Sequence, residues 1–163
     1  SPDSEARIVL PQLQHESLQG DCRTREFFEP LGVHTAFTPE GVVLTKGEAT
    51  MGRLELNLSA QPDLAQTLVV TCAMLGRPFC FSGLESLRIK ETDRLAALQQ
   101  ELRKLGCEVV VEGDTVLRCD APQPATVATA PIATYDDHRM ALAFAPVAFV
   151  NKEIKINQFY TLN

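Results

Sequence analysis

The chain has 163 residues, enough for a sizeable buried core, and 45% of them are hydrophobic, mostly Leu, Val and Ala with few aromatics and no Trp. Its 21 acidic residues outnumber 15 Lys and Arg, a net charge of −6 that argues against a nucleic-acid partner, because such binders carry a positive balance and a basic face. No apolar run of about 18 residues occurs, so no membrane span is expected. The five cysteines, Cys22, Cys72, Cys80, Cys107 and Cys119, form no CxxC pair and no zinc spacing with His. They read as reduced thiols of a cytoplasmic protein, with Cys72 and Cys107 in core-like surroundings. The opening Ser1-Pro2-Asp3 has no Met and no signal-peptide pattern, and the last residues lack a terminal helix pattern. The chain is expected to be part of a longer one.

Arg7 to Leu10 reads as a short strand closed by Pro11. Asp21 to Leu31 reads as a helix, with Asp21 as N-cap and Gly32 as terminator. Val33 to Phe37, the turn Pro39-Glu40-Gly41 and Val42 to Leu44 form a hairpin pattern. Leu54 to Leu58 alternates as a half-buried strand. Pro62-Asp63 opens a helix whose stretch from Thr67 to Leu75 is apolar nearly all round and therefore expected to be buried, with Gly76 as its stop. Phe79 to Phe81 is a strand. Thr92 to Leu105 is the clearest helix, with Thr92 or Asp93 as cap, Leu95, Leu98, Leu102 and Leu105 as its stripe, and Gly106 after it. Glu108 to Val111 and Thr115 to Arg118 flank a turn. A Pro/Ala/Thr-rich link spans 121–131, and an apolar helix from Met140 to about Val150 carries a kinking Pro146. Glu153 to Ile156 alternates as a last strand.

The order repeats. Asp21, helix, Leu31-Gly32-Val33, turn and strand are echoed later by Asp93, helix, Leu105-Gly106-Cys107, turn and strand. Two alternating strand–helix units, roughly 1–80 and 81–163, imply quasi-symmetric α/β packing within one domain.

Three stretches carry the candidate chemistry. Arg88-Ile89-Lys90-Glu91-Thr92-Asp93-Arg94 gathers three cations at a helix start, where cations are disfavoured by the macrodipole unless an anion is bound. The alternative is a solvated turn in which Glu91 and Asp93 offset the cations. Asp136-Asp137-His138-Arg139 repeats the arrangement before another apolar helix, where one Asp can simply be the cap and His138 a surface residue. Together the two starts suit a ligand bearing phosphate and carboxylate, both of which Arg binds in a bidentate manner. Asp63 is a third candidate, either a cap or a base for a hydroxyl proton, and Glu91 is the matching acid. No GxGxxG, P-loop, Gly-x-Ser-x-Gly or HExxH occurs, so neither a metal nor an organic cofactor is expected.

Leu87-Arg88-Ile89-Lys90-Glu91-Thr92-Asp93-Arg94, with Glu101-Leu102-Arg103-Lys104-Leu105-Gly106, resembles a signature of the 3-phosphoshikimate 1-carboxyvinyltransferase family. So does Thr134-Tyr135-Asp136-Asp137-His138-Arg139-Met140-Ala141, with shorter matches at Ser17 to Asp21 and Pro62 to Thr67. The matches run in family order over nearly the whole chain. The resemblance implies repeated βαβαββ units, part of an inside-out α/β barrel, with this chain as a fragment of the C-terminal half. It implies small-molecule substrates, shikimate 3-phosphate and phosphoenolpyruvate, and a cytoplasmic enzyme, monomeric at full length.

By the same resemblance Asp63 takes the 5-hydroxyl proton of shikimate 3-phosphate and contacts its ring, Lys90 contacts the same substrate, and Glu91 delivers and later removes the proton at C3 of phosphoenolpyruvate. Arg94 and Arg139 bind phosphoenolpyruvate with His138 beside them. Ser86 stands where some members carry a substrate-contacting Asn, and Asp136 replaces an Asn common in the family. The family's phosphoenolpyruvate-binding Lys after the last strand has no counterpart in Phe159 to Asn163, and the N-terminal half is missing, so the chain alone is expected to be inactive. A UDP-N-acetylglucosamine enolpyruvyl transferase relative and a non-catalytic anion-binding module are the alternative readings.

Overall fold

The computed structural model describes residues 6–13, 23–122, 130–150 and 154–157. The expected N-cap Asp21, Cys22, the match at 17–21, most of the link at 121–131, and Glu153 lie outside them. The chain clusters into two compact units, 1–51 and 52–163. The sequence repeat at roughly 1–80 and 81–163 is a pattern of order along the chain, a different criterion from packing.

In the first unit, strands β1 (Arg7–Leu10), β2 (Val33–Thr38) and β3 (Gly41–Lys46) form an antiparallel sheet in the order β1-β3-β2. The expected hairpin is present: Val33 pairs with Lys46 and Thr38 with Gly41 across Pro39-Glu40. Gly41 has a φ of +126°, and a Cβ there would lie 2.4 Å from the Leu10 carbonyl oxygen, so only glycine fits where β1 and β3 meet. Helix α1 (Thr24–Phe28) tightens into a 3-10 turn at Glu29–Leu31, where Pro30 withholds an N–H, and Gly32 ends it with φ +84°. Phe27, Leu31, Val42 and Val43 are buried.

The second unit contains a mixed sheet of β4 (Leu54–Asn57), β5 (Phe79–Ser82), β6 (Val110–Glu112) and β7 (Val116–Cys119), in the order β4-β5-β7-β6. Strand β4 runs parallel to β5, and the crossover between them is helix α2 (Ala65–Met74), entered through a 3-10 turn at Pro62–Leu64. Helix α3 (Arg94–Lys104) follows β5 after a second 3-10 turn, Glu85–Ile89. The order β-α-β-α-β-β therefore appears in full from Leu54 to Cys119. A second parallel pair, β8 (Ile132–Ala133) and β9 (Ile156–Asn157), encloses α4 (His138–Phe144). This is a mixed α/β fold of the expected kind.

Helix α2 packs against both α3 and α4, which buries Ala65, Leu68, Val69, Val70, Cys72 and Ala73 and leaves only a narrow outer strip at Thr67 and Thr71. The α3 stripe Leu95, Leu98, Leu102 and Leu105 is fully buried, each side chain contributing about 1.5–3 kcal/mol. Pro146 changes the winding of the last helix to 3-10 over Ala145–Phe149, so the α-helical part stops at Phe144 instead of running toward Val150. Burial pushes the thiols of Cys72 and Cys107 up to about 12, so both are held as neutral core groups. No helix among the described residues is long and apolar enough to cross a membrane.

Candidate functional site

The site lies at the carboxyl ends of β4, β5 and β8, where the chain turns into α2, α3 and α4. Its centre is Arg94, the first residue of α3, only 1% exposed. A guanidinium in the interior requires carboxylates, and Arg94 has three. Its Nε donates to Asp137 Oδ2 at 2.6 Å, Nη1 to Asp63 Oδ1 at 2.8 Å, and Nη2 to Glu91 Oε2 at 2.6 Å. A further Nη2 bond of 3.3 Å reaches Asp137 Oδ1. Burial works against the charge on Arg94, but the Asp137 hydrogen bond and the charges of Asp137, Glu91 and Asp63 outweigh it and raise its pKa above the ordinary value.

Asp137 is fully buried and does two jobs at once. It caps α4 by accepting from the N–H groups of Arg139 at 2.9 Å and Met140 at 3.4 Å, and it anchors Arg94. Burial favours its neutral form, yet the Arg94 hydrogen bond and these backbone donors prevail and hold its carboxyl below the usual range.

Asp63 does not cap its helix. Its Oδ1 faces Arg94 and, at 3.7 Å, Lys90 Nζ, while its Oδ2 lies 3.3 Å from Arg139 Nη2. Arg139 Nη1 also reaches the Asp63 carbonyl at 3.4 Å. Three cations from two helix starts thus converge on one half-buried carboxylate. Gln66, the fully buried second residue of α2, fits between them: with its amide turned to satisfy both neighbours, the nitrogen donates to the Asp63 carbonyl at 3.0 Å and the oxygen accepts from Arg94 Nε at 3.2 Å.

Lys90, Arg94 and Arg139 balance Asp63, Glu91 and Asp137 in formal charge. The partly exposed members, Lys90, Asp63, Glu91 and Arg139, present two cations and two carboxylates to solvent, while the Arg94–Asp137 pair forms the buried base. Such a cluster can hold an anion through Lys90 and Arg139, with two carboxylates adjacent to move protons.

The structure brings together Asp63, Lys90, Glu91, Arg94 and Arg139. His138 opens α4 beside Arg139 but is exposed and takes no part in these hydrogen bonds. Ser86 lies half-buried in the Glu85–Ile89 turn and likewise makes none with the cluster. Of the three expected cations before α3, Arg88 turns away: its Nη1 donates to Asp93 Oδ2 at 2.7 Å, and it also pairs with Asp114. Helices α3 and α4 each begin with an internal cap, since Asp93 accepts from the Ala96 N–H at 3.1 Å as Asp137 does for α4. These carboxylates take up one free N–H at the start of α3 and two at the start of α4. Sequence reasoning placed Asp137 only as a possible cap and did not single out Gln66. A polar residue inside an otherwise apolar helix start was the available signal.

A family model described as EPSP synthase (3-phosphoshikimate 1-carboxyvinyltransferase) matches residues 4–163. A 3-phosphoshikimate 1-carboxyvinyltransferase of Bacteroides fragilis is 46% identical over 154 residues, covering 94% of this chain and 38% of that protein. The chloroplastic enzyme of the same name from Arabidopsis thaliana is 37% identical over 147 residues, covering 86% of this chain and 28% of the relative. The chain thus spans 38% and 28% of the length of these two curated relatives. Among solved structures, an EPSP synthase from Acinetobacter baumannii superposes with a TM-score of 0.64 over 86% of this chain and 35% of that one, at 17% identity, a likeness of fold.

Proposed function

The chain belongs to the EPSP synthase family, and from that premise we propose that the protein transfers the enolpyruvyl group of phosphoenolpyruvate to the 5-hydroxyl of shikimate 3-phosphate, releasing phosphate. The observation that carries this reading is the pair of carboxylates on one guanidinium: Asp63 on Nη1 and Glu91 on Nη2 of Arg94. Two carboxylates beside a cluster of cations suit a reaction that removes a proton from a hydroxyl and adds one to carbon while the substrates carry several negative charges.

In this proposal Asp63 accepts the 5-hydroxyl proton as the oxygen attacks C2 of phosphoenolpyruvate, and Glu91 donates a proton to C3. The double bond becomes a methyl group and C2 becomes tetrahedral. Glu91 then takes a proton back from C3 as the C2–O bond to phosphate breaks, which restores the double bond in the product. Lys90 holds shikimate 3-phosphate. Arg94 and Arg139 bind the carboxylate and phosphate of phosphoenolpyruvate, with His138 at the rim and Ser86 toward the shikimate side. A ligand carboxylate on Arg94 Nη2 replaces Glu91 there and leaves the Glu91 side chain to reach C3. On the same reading the protein acts as a cytoplasmic monomer, and the residues its relatives carry beyond this stretch complete the site.

The test is phosphate release by the full-length protein from phosphoenolpyruvate, with shikimate 3-phosphate in one reaction and UDP-N-acetylglucosamine in another. Release with shikimate 3-phosphate alone is expected. Release with the sugar nucleotide alone overturns the substrate assignment, and release with neither overturns the reaction.

A further inference from the structure

A second buried charged residue lies on the same face of α3, two turns beyond Arg94. Glu101 is 1% exposed, and three donors converge on its carboxylate. Its Oε2 accepts from Lys104 Nζ at 2.6 Å and from the Ala133 N–H at 2.9 Å, and its Oε1 accepts from the Tyr135 hydroxyl at 2.7 Å. Lys104 Nζ also donates to the Pro131 carbonyl at 2.9 Å, and the Tyr135 hydroxyl lies 2.8 Å from Gln100 Oε1. Burial, reinforced by the hydrogen bond and charge of Glu101, pushes the Tyr135 hydroxyl well above the ordinary phenol range, so it remains a donor.

What these contacts hold is an unusual turn. Tyr135 and Asp136 are consecutive non-glycine residues, both with φ of +56°, a conformation that persists only where the surroundings impose it. The Asp137 N–H donates to the Thr134 carbonyl at 2.9 Å and closes the turn. Helix α3 therefore fixes this segment at both ends with residues seven positions apart: Glu101 holds Ala133 before the left-handed pair and Tyr135 as its first member, and Arg94 holds Asp137 after it. His138 and Arg139 follow directly.

We propose that Glu101, through Tyr135, is a positioning residue that sets the direction in which the first turn of α4 presents Arg139, and with it His138, to the ligand. The substrate named in the test rests on the enolpyruvyl-transfer reading, whereas the positioning itself does not. The Glu101 carboxylate is fully taken up by Lys104, Ala133 and Tyr135, so its effect travels through the turn.

The experiment compares the full-length protein with its Tyr135→Phe, Glu101→Ala and Glu101→Gln variants. Tyr135→Phe removes one hydroxyl and leaves the ring packing, so KM for phosphoenolpyruvate, the partner assigned to Arg139, is expected to rise about fivefold, the factor one hydrogen bond represents. KM for shikimate 3-phosphate stays within about twofold on the same scale. Glu101→Ala gives a larger rise in the same constant. Glu101→Gln, which can still accept from Ala133 and now donate to the tyrosine oxygen, restores most of it. In the ligand-free protein, hydrogen exchange of the Asp137, Arg139 and Met140 amides accelerates in Tyr135→Phe while amides of α2 and β5 keep their rates. Unchanged exchange in this segment, or acceleration spread evenly over 52–163, overturns the positioning role and leaves only a contribution to overall stability. A wild-type protein without turnover defeats the functional reading instead, and the exchange arm then decides the positioning alone.

Discussion

Replacing Asp137 with Asn separates the two jobs of that side chain. Asn caps helices about as well as Asp, so the bonds from the Arg139 and Met140 amides survive the change. What disappears is the charge opposite Arg94 Nε and Nη2, at 2.6 and 3.3 Å, in a place where both partners are almost fully buried. Breaking a buried pair by neutralising one partner typically costs about 3–5 kcal/mol. Because Arg94 keeps Asp63 and Glu91, the lower end of about 3 kcal/mol is expected. Urea unfolding of wild type and Asp137→Asn gives the difference from the two midpoints and the common slope.

The pH dependence adds a second check. The folded-state pKa of Asp137 lies below its unfolded value, so the ion pair contributes fully above the unfolded pKa of about 3.9 and is lost as pH falls through the depressed folded value. The gap between wild type and variant should therefore be flat from about pH 5 to 8 and narrow in acid. A cost under about 1 kcal/mol, the scale of a cap alone, or a gap that widens on acidification, would contradict this view of the site's buried base.

Three other outcomes follow from the same geometry. Lys90→Met, which keeps the stem and removes the charge near Asp63, should weaken binding of shikimate 3-phosphate by about tenfold, the lower range for a charge-assisted contact, with little change in unfolding midpoint; calorimetry on the full-length protein measures it. Gly41→Ala forces a side chain against the Leu10 carbonyl at positive φ and should destabilise the three-stranded sheet by about 1–3 kcal/mol, seen as faster amide exchange in β1 and β3. Cys72 and Cys107, raised to about 12, should resist alkylation at pH 8 in the folded protein and react on denaturation, as mass spectrometry of labelled peptides would register.

Periodicity made the larger elements legible. The Leu95, Leu98, Leu102 and Leu105 stripe, the mostly apolar α2 and the hairpin around Pro39-Glu40 each occupy the expected place. Two elements carried no such signal: β8 is two residues long, too short to alternate, and the five-residue 3-10 turn at Glu85–Ile89 has no apolar stripe to reveal it. For the site, cations at helix starts led to Lys90, Arg94 and Arg139, and a carboxylate after Pro62 led to Asp63. Burial was what the residue order did not express. Arg94 reads as a surface cation but is an internal hub, Arg88 is diverted to Asp93 and Asp114, and Asp137 is far more than a cap. Glu101 shows the same limit: its spacing of seven from Arg94 puts it on the buried face, yet only the tertiary fold supplies the donors from Ala133 and Tyr135 that make a carboxylate tolerable there.

The central claim is that Glu91, held beside Asp63 on Arg94, exchanges a proton with C3 of phosphoenolpyruvate. Running the full-length protein in D2O with both substrates and following C3 by NMR tests it most directly. Deuterium entering the C3 methylene of the product with wild type, and its loss together with turnover in Glu91→Gln, is the expected result. Undiminished exchange and turnover in Glu91→Gln would contradict the assignment of that proton to this carboxylate.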